Sequence, residues 1–429
     1  MSALFTRYRA ATLFALIVLM TIGVHVAMGT PFTVRLLVEA TAYGLIALGL
    51  NVQYGYGGLF NFGVMGFVMI GGFASVFISF PRNDGFWTSE GPLLLLRALA
   101  AFAVGYLLVW AVRRLPTKGA LRNVLVVVAW CVAYVAYRTQ IDPAAAYIEK
   151  TSGWVGGLGL HPVLAWAFGG LLSGVVAYFV GKVSLGLRSD YLAIATIGIS
   201  EIIRALIKNM DWLTRGTQSV SPLPWPTPLP QQLQEWGYSI TDSFIVGRLM
   251  FLAVSAGVLV IAFFLVQRAY RGPWGRMMRA IRDNFIAAGS MGKNVKARQI
   301  EIFVLGSVLI GIGGAILASF NQILDPSGFQ PINYTFLIWV MVIVGGAGNN
   351  WGVMIGTMLL YTVFILSDPL AQFALRGLSD WSLSMGWGAI PEIDTRSLQM
   401  RVFVVGLVIW LTLRFAPRGL VPETIRRDP

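Results

Sequence analysis

The chain has 429 residues, of which 56% are hydrophobic and 12% are charged, and its formal net charge is +13. So few polar side chains cannot cover the surface of a soluble globular protein, and the composition therefore indicates a polytopic membrane protein. It also excludes an intramolecular disulfide, since Cys131 is the single cysteine, and it predicts no metal site, because His25 and His161 stand alone.

Apolar runs of membrane-spanning length recur along the whole chain. A helix needs about 20 mostly apolar residues to cross a bilayer, and the alternating short strands that build a barrel are absent from the sequence pattern. We therefore predict an all-α membrane protein with about 10–12 transmembrane helices. The predicted spans are 10–29, 35–53, 62–80, 93–112, 122–137, 161–181, 190–209, 244–267, 300–320, 334–347, 351–367 and 401–414.

The basic residues between these spans predict which side each segment faces. Segments on the side of the N-terminus hold most of the Lys and Arg residues, including Arg7, Arg9, Lys118, Arg426 and the eight between 268 and 298. By the positive-inside rule, both termini are predicted to be cytoplasmic. The predicted division is an N-terminal cytoplasmic segment with the first helix at 1–34, a transmembrane domain at 35–420 and a C-terminal cytoplasmic tail at 421–429.

Two glycine-rich breaks interrupt apolar sequence at membrane depth. Paired breaks of this kind are typical of inverted repeats with broken helices, whose freed backbone groups line a cavity or are buried in protein. On this interpretation the candidates for a translocation path are Gly55, Gly57, Gly58 and Asn61 in the first break and Gly345, Gly346 and Gly348 in the second. Tight turns between spans, or small residues at close helix contacts, are the alternative interpretation.

Ionisable residues within the predicted spans are few, and Glu39, Glu201 and Arg204 stand out. A charge at membrane depth is costly unless it is paired or hydrated, so it usually faces the interior of a helix bundle. Glu201 and Arg204 are three residues apart on one predicted helix and can pair with each other. A structural pair is one interpretation, and a role in the translocation path or at a subunit interface is the other.

Two polar stretches are predicted to be external loops. Residues 211–242 contain a proline-rich run that is incompatible with a helix, and Trp225 and Trp236 lie within this stretch. The tryptophans would serve either as interfacial anchors or as contacts for a partner. Residues 368–400 form the second stretch.

An Arg-rich segment at 271–292 has the pattern of an amphipathic helix. At about 100° per residue, Met277, Ile281, Phe285, Ala288 and Met291 fall on one side and the arginines on the other. Such a helix lies along a surface rather than across a bilayer. We interpret it as a contact for a separate motor subunit, and a lipid-binding surface helix is the alternative.

The sequence carries no catalytic constellation and no nucleotide-binding loop. Gly181-Lys182 resembles the end of a phosphate loop, but Val176 occupies the position where that motif requires glycine and Val183 follows the lysine. The chain is therefore predicted to be non-catalytic, and any ATP-driven work requires a separate subunit.

A family resemblance gives these features a common interpretation. Residues 275–292, with Ala287-Ala288 followed after three residues by Gly292, resemble the EAA loop of ABC importer permeases, although Ile286 replaces the leading Glu. Together with the runs at 188–204 and 344–352, this segment is similar to LivM-type permeases of branched-chain amino-acid ABC importers, over residues 36–420. The resemblance implies a coupling helix at about 276–292, with Arg279, Ile281, Asn284, Phe285, Ala287, Ala288 and Gly292 as the ATPase-coupling residues.

The resemblance also implies the partners and the function. The expected assembly is a LivH-type second permease, two cytoplasmic ABC ATPases that bind ATP and Mg, and a periplasmic solute-binding protein, in the lipid of a bacterial inner membrane. No cofactor on this chain and no nucleic acid are expected. The expected function is import of branched-chain or other amino acids. A urea, amide or organic-acid ABC permease is the first alternative, and a stand-alone ion-coupled carrier is the second.

Overall fold

The computed structural model describes residues 2–115 and 119–423, with side chains from residue 11 onward. These residues form an all-α structure with two π-helical turns, Asn51–Tyr56 and Ile332–Phe336, and three isolated bridges in place of any strand. The all-α prediction is confirmed. The helices are α1 (Ser2–Met28), α2 (Thr30–Leu50), α3 (Val64–Ser79), α4 (Asp84–Trp87), α5 (Gly91–Arg114), α6 (Ala120–Thr151), α7 (Pro162–Ser184), α8 (Ser189–Asn209), α9 (Asp211–Thr214), α10 (Pro230–Glu235), α11 (Ile240–Arg271), α12 (Pro273–Asp283), α13 (Phe285–Ser290), α14 (Val295–Asn321), α15 (Leu337–Gly345), α16 (Asn350–Ser384) and α17 (Ile393–Phe415).

Within the described chain, nine helices are long and apolar enough to cross a membrane, and two shorter apolar helices accompany them. The nine are α1, α2 with its π-helical turn, α5, α6, α7, α11, α14, α16 and α17, and the shorter two are Val64–Ser79 and Ile332–Gly345. The chain is thus a multi-pass membrane protein. Helix α8, which coincides with the predicted span 190–209, is not among them, because Asp190, Glu201, Arg204 and Lys208 make it too polar.

Helix α14 is the centre of the bundle and packs against α2, α3 and α7. Small residues allow these helices to approach closely, as is usual where helices associate in lipid. A β-carbon at Gly49 would lie 2.5 Å from the carbonyl oxygen of Gly306, and one at Gly71 would overlap the carbonyl oxygen of Gly311. The glycine content of α14 therefore fixes the distances between the central helices.

Helices α5 and α6 form a peripheral hairpin that packs mainly against itself. Only 17% and 11% of their apolar windows are buried within the chain. Val109, Ala129 and Ala133 form a small separate cluster between the two helices. None of the described residues of these two helices belongs to the central hydrophobic cluster.

The two predicted external loops differ in their structures. Residues 211–242 form a loop through the proline-rich run, as predicted, but they also contain the short helices α9 and α10 and the first residues of α11, which begins at Ile240. The Trp225 ring stacks on Phe320 at 5.9 Å, whereas Trp236 is 65% exposed. The loop predicted over 368–400 is wrong for most of its length, because α16 continues to Ser384 through Pro369 and α17 begins at Ile393; the external position of this stretch stays a prediction.

The predicted cytoplasmic tail at 421–429 is described only to Glu423. The basic residues Lys118, Arg426 and Arg427, which contribute to the predicted sidedness, lie outside the described residues. The same is true of the side chains of Arg7 and Arg9.

Candidate functional site

The two glycine-rich breaks meet at one end of the bundle. The Asn51 side chain, in the π-helical turn that ends α2, accepts a hydrogen bond from the backbone N–H of Gly348 at 2.8 Å. A β-carbon at Gly55 would lie 2.5 Å from the backbone nitrogen of Gly348. Two segments that are far apart in sequence therefore touch through their backbones, and only glycine permits this contact.

Buried polar side chains hold the two breaks together. Asn51 donates from Nδ2 to Oδ1 of Asn350 at 2.9 Å, and the Tyr56 hydroxyl donates to the same oxygen at 2.5 Å. All three residues are almost fully buried. Because buried amide groups must be hydrogen-bonded, this network favours one relative position of the breaks.

Asn61 anchors the far end of the first break. Its side chain donates to Oε1 of Gln53 at 2.8 Å, and its carbonyl accepts from the Trp339 ring nitrogen at 2.9 Å. Gln53 in turn donates to the carbonyl of Phe303 and to the hydroxyl of Ser307. The freed backbone of the first break is thus buried in protein, as the broken-helix interpretation requires.

The second break is covered by the C-terminal part of the described chain. Gly346 and Gly348 have φ values of +112° and +84°, which favour glycine. Leu420 and Val421 donate backbone hydrogen bonds to Val344 and Gly345 at 2.7 and 3.0 Å. The segment around 420 is therefore hydrogen-bonded to the helix end that precedes the second break.

The Arg-rich segment is two helices rather than one. We call residues 273–290 the amphipathic segment, and Asn284 interrupts it with φ −156° and ψ 98°. The Asn284 side chain accepts from the backbone N–H groups of Ile286 and Ala287 at 3.1 and 3.0 Å, which makes it the N-cap of α13. The predicted continuous helix over 276–292 is therefore wrong at this residue.

This break divides the predicted apolar face. Ile281 and Ala288 are buried in the protein, with 3% and 7% exposure. Phe285, Ile286 and Met291 are 60%, 68% and 81% exposed and form an apolar patch around α13. Ala287 is also exposed, and Gly292 has φ +77° with open space around it.

Arg282 joins the amphipathic segment to both breaks. One terminal nitrogen donates to the carbonyl of Gly55, and the other lies 3.0 Å from Oε2 of Glu423, beside the second break. Burial lowers the pKa of the Arg282 guanidinium, but the Glu423 carboxylate, together with Tyr270 and Asp283, more than offsets this and raises the pKa overall. The guanidinium is therefore charged, and its ion pair is sheltered, with side-chain exposures of 21% and 16%.

Aromatic rings complete the contact between the segment and the bundle. The guanidinium of Arg279 lies 4.8 Å from the ring centroid of Tyr270. Tyr270 donates its hydroxyl proton to Glu423 and stacks on Tyr56, with ring centroids 3.5 Å apart. A cavity of about 990 Å³ lies here, and its lining includes Arg279, Tyr270 and Glu423.

Glu201 and Arg204 are placed elsewhere. They pair with each other across 3.3 Å on α8, with side-chain exposures of 43% and 23%. Helix α8 packs mainly against α3, and neither charge takes part in the network at the two breaks. The intrahelical pair is confirmed, and a role in the translocation path stays a prediction.

The structure adds residues that the sequence prediction missed. Glu423 lies in a stretch without a recognisable sequence pattern. Tyr270 lies at the end of an apolar run, where a tyrosine is common and indicates no particular partner. Asn51 had a usable signal, because an amide within an apolar span requires a buried partner.

Among the described residues, no three His, Cys, Asp or Glu side chains lie close enough to hold a metal ion.

Comparison with known proteins completes the description of the chain. A family model described as branched-chain amino acid transport system / permease component matches residues 32–147 and 124–413. The high-affinity branched-chain amino acid transport system permease protein LivM of Escherichia coli is 28% identical over 279 residues, and so is LivM of Salmonella typhimurium. Each alignment covers 62% of this chain and 59% of the relative, so the chain spans less than two thirds of the length of these relatives.

The chain is also similar to a permease that is named for nucleosides rather than for amino acids. The nucleoside ABC transporter permease protein NupC of Lactococcus lactis is 22% identical over 281 residues, which cover 64% of this chain and 78% of the relative. No solved structure matches the chain significantly.

Proposed function

The chain belongs to the family of branched-chain amino acid transport system permease components, and from this premise we propose that it is the membrane-spanning permease subunit of an ATP-driven, binding-protein-dependent importer. Its cargo is a branched-chain or other amino acid. The described relatives named LivM support this assignment.

One observation carries the mechanism, namely that Arg282 contacts both Gly55 and Glu423. The amphipathic segment lies against the first break through the former contact and against the second break through the latter. A displacement of α12 and α13 would therefore be transmitted to both breaks at once. Packed cores and networks of this kind switch between discrete arrangements rather than deform continuously, which suits alternating access.

The motor lies on other subunits. The sequence carries no phosphate-binding loop, so ATP and Mg are bound by two partner ATPases. The exposed patch of Phe285, Ile286 and Met291 is the surface that we assign to an ATPase groove. A LivH-type permease and a periplasmic solute-binding protein complete the proposed assembly, and this chain itself catalyses no reaction.

The same contacts support a proposal for the sidedness. Glu423 reaches the amphipathic segment, which places the C-terminal part of the described chain at the same end of the bundle as the Arg-rich residues. By the positive-inside rule we propose that this end is cytoplasmic, in a bacterial inner membrane.

Reconstitution of the complete assembly tests the proposal. The chain is co-purified with its partners and placed in vesicles, and uptake of labelled leucine, valine, isoleucine, urea, uridine and a short organic acid is measured with internal ATP. We expect uptake of amino acids that stops when the ATPase is inactivated. Uptake driven by an ion gradient without any ATPase would contradict the class, and exclusive uptake of urea, uridine or the acid would contradict the cargo.

A further inference from the structure

A second cavity lies at the end of α14 opposite to the amphipathic segment. Its volume is about 490 Å³, and Arg35, Glu39, Asn321 and Asp325 are among its lining residues. We call it the distal vestibule. Its volume is in the range of small-molecule sites, which is about 300–1,000 Å³.

The distal vestibule contains charges of both signs. Glu39 has a side chain that is only 6% exposed, and its Oε2 accepts from the Tyr361 hydroxyl at 2.5 Å. Its Oε1 lies 3.3 Å from Nε of Arg35, whose side chain is 54% exposed. Asp325 has one oxygen fixed by the backbone N–H of Ser327 at 2.8 Å. A buried carboxylate is costly within a membrane and usually marks a functional path.

Positive charge is concentrated on one flank. Arg35 and Asn321 also line an adjoining cavity of about 270 Å³, together with Arg248. Arg248 is held by a hydrogen bond to the carbonyl of Pro31 at 2.9 Å. Among the described residues, Arg35 uses only its Nε for a hydrogen bond, so its two terminal nitrogens are free to bind a ligand oxygen.

The other side chains that line the distal vestibule are mainly aliphatic and aromatic. They include Val68 and Leu317, which are 1% and 5% exposed, and the ring of Phe329, which stacks on Tyr334 with centroids 4.7 Å apart. A cavity with a few fixed charges and an apolar wall is typical of sites that orient a ligand by its polar groups.

We propose that the distal vestibule binds the zwitterionic main-chain groups of an α-amino acid. The carboxylate lies against Arg35, the ammonium group lies against Glu39 and Asp325, and the side chain lies against the apolar wall. Because Arg35 contacts Glu39 only through Nε among the described residues, a ligand carboxylate can bind its two terminal nitrogens while this contact is kept. This inference rests on the proposed function, because it takes an amino acid as the cargo.

A labelling experiment tests the site without requiring transport. In the complete assembly, the single cysteine is removed by Cys131→Ala and a new thiol is placed in the cavity by Asn321→Cys. The rate of modification by a membrane-impermeant maleimide is measured with L-leucine, with 4-methylpentanoate, which lacks the ammonium group, and with 3-methylbutylamine, which lacks the carboxylate. We expect L-leucine to slow the modification and each analogue to require a roughly tenfold higher concentration.

Two variants connect the protection to the named charges. Glu39→Gln keeps an acceptor for Tyr361, and Arg35→Gln removes the guanidinium; each should raise the leucine concentration that protects by roughly tenfold. Arg138→Gln is the matched control, because Arg138 forms an exposed i,i+4 pair with Asp142 on the peripheral hairpin, and it should leave protection unchanged.

The outcomes separate this inference from the proposed function. Equal protection by the analogues, unchanged protection in both charge variants, or no protection by L-leucine would overturn the site. ATP-driven leucine uptake that persists in those cases would leave the proposed function intact. Protection with the expected pattern but no uptake of any amino acid would support the site and contradict the importer.

Discussion

Arg282 and Glu423 form a sheltered ion pair, with 3.0 Å between the guanidinium and the carboxylate, and the same guanidinium donates to the carbonyl of Gly55. The amphipathic segment, the first break and the second break therefore share one side chain. The relative positions of these three elements therefore depend on the charge of the Arg282 guanidinium and on that of the Glu423 carboxylate.

Loss of the pair should uncouple the segment from the breaks. Glu423→Gln removes one charge and should weaken the contact by about 1.5–3 kcal/mol, the usual range for hydrogen bonds to charged groups. Arg282→Ala loses the Gly55 contact as well and should reduce ATP-driven uptake more strongly. Uptake and ATPase rate are compared in the same vesicles, and we expect ATP hydrolysis to continue with less transport. Equal uptake by Arg282→Ala and the parent would contradict the role of this side chain.

The contact between Gly55 and Gly348 predicts a local stability effect. Gly55→Ala places a β-carbon 2.5 Å from the backbone nitrogen of Gly348, and forcing the breaks apart should cost about 1–3 kcal/mol. Gly198→Ala is the control, because nothing lies within 4 Å of a β-carbon there and alanine favours a helix by about 0.5–1 kcal/mol. Thermal unfolding in detergent should therefore shift down for Gly55→Ala and not for Gly198→Ala. The same sign for both variants would contradict the close contact.

The sequence predicts the helices and the breaks better than the contacts between them. Apolar runs determine where helices cross the membrane, so α2, α7 and α14 lie close to their predicted positions. The helical spacing of apolar residues continues through Asn284, so the sequence pattern predicts one helix where the structure has two. Asn284 itself was a usable signal, because Asn is a preferred N-cap residue. The pairing of Arg282 with Glu423 was beyond prediction, because local pattern holds no information about contacts between residues distant in the chain.

The exposed patch on α13 predicts a binding defect without a folding defect. Phe285 is 60% exposed, so Phe285→Ala removes little packing within this chain. If the patch enters an ATPase groove, its loss should weaken the association by about 1–2 kcal/mol. Titration of the purified ATPase onto the permease in detergent measures this change. Phe373→Ala is the control, since Phe373 is 82% exposed on α16, away from the amphipathic segment; equal weakening by both variants would contradict the assigned surface.

The two ends of α14 should be accessible from opposite sides of the membrane. Ser290 lies at the end of α13, just before α14 begins. Gln231 lies in α10, which follows the loop whose Val220 donates a backbone hydrogen bond to Leu324, just after α14 ends, at 2.9 Å. The 27 residues of α14 separate its two ends by about 40 Å. In a Cys131→Ala background, an impermeant maleimide should label Ser290→Cys only from the cytoplasm and Gln231→Cys only from outside. The parent with Cys131 should stay unlabelled in intact membranes, because this thiol lies within the apolar part of helix α6, more than ten residues from either end. Labelling of positions 290 and 231 from the same side would contradict the topology, and labelling with the sides exchanged would place the amphipathic segment outside the cell, where no ATPase could bind it.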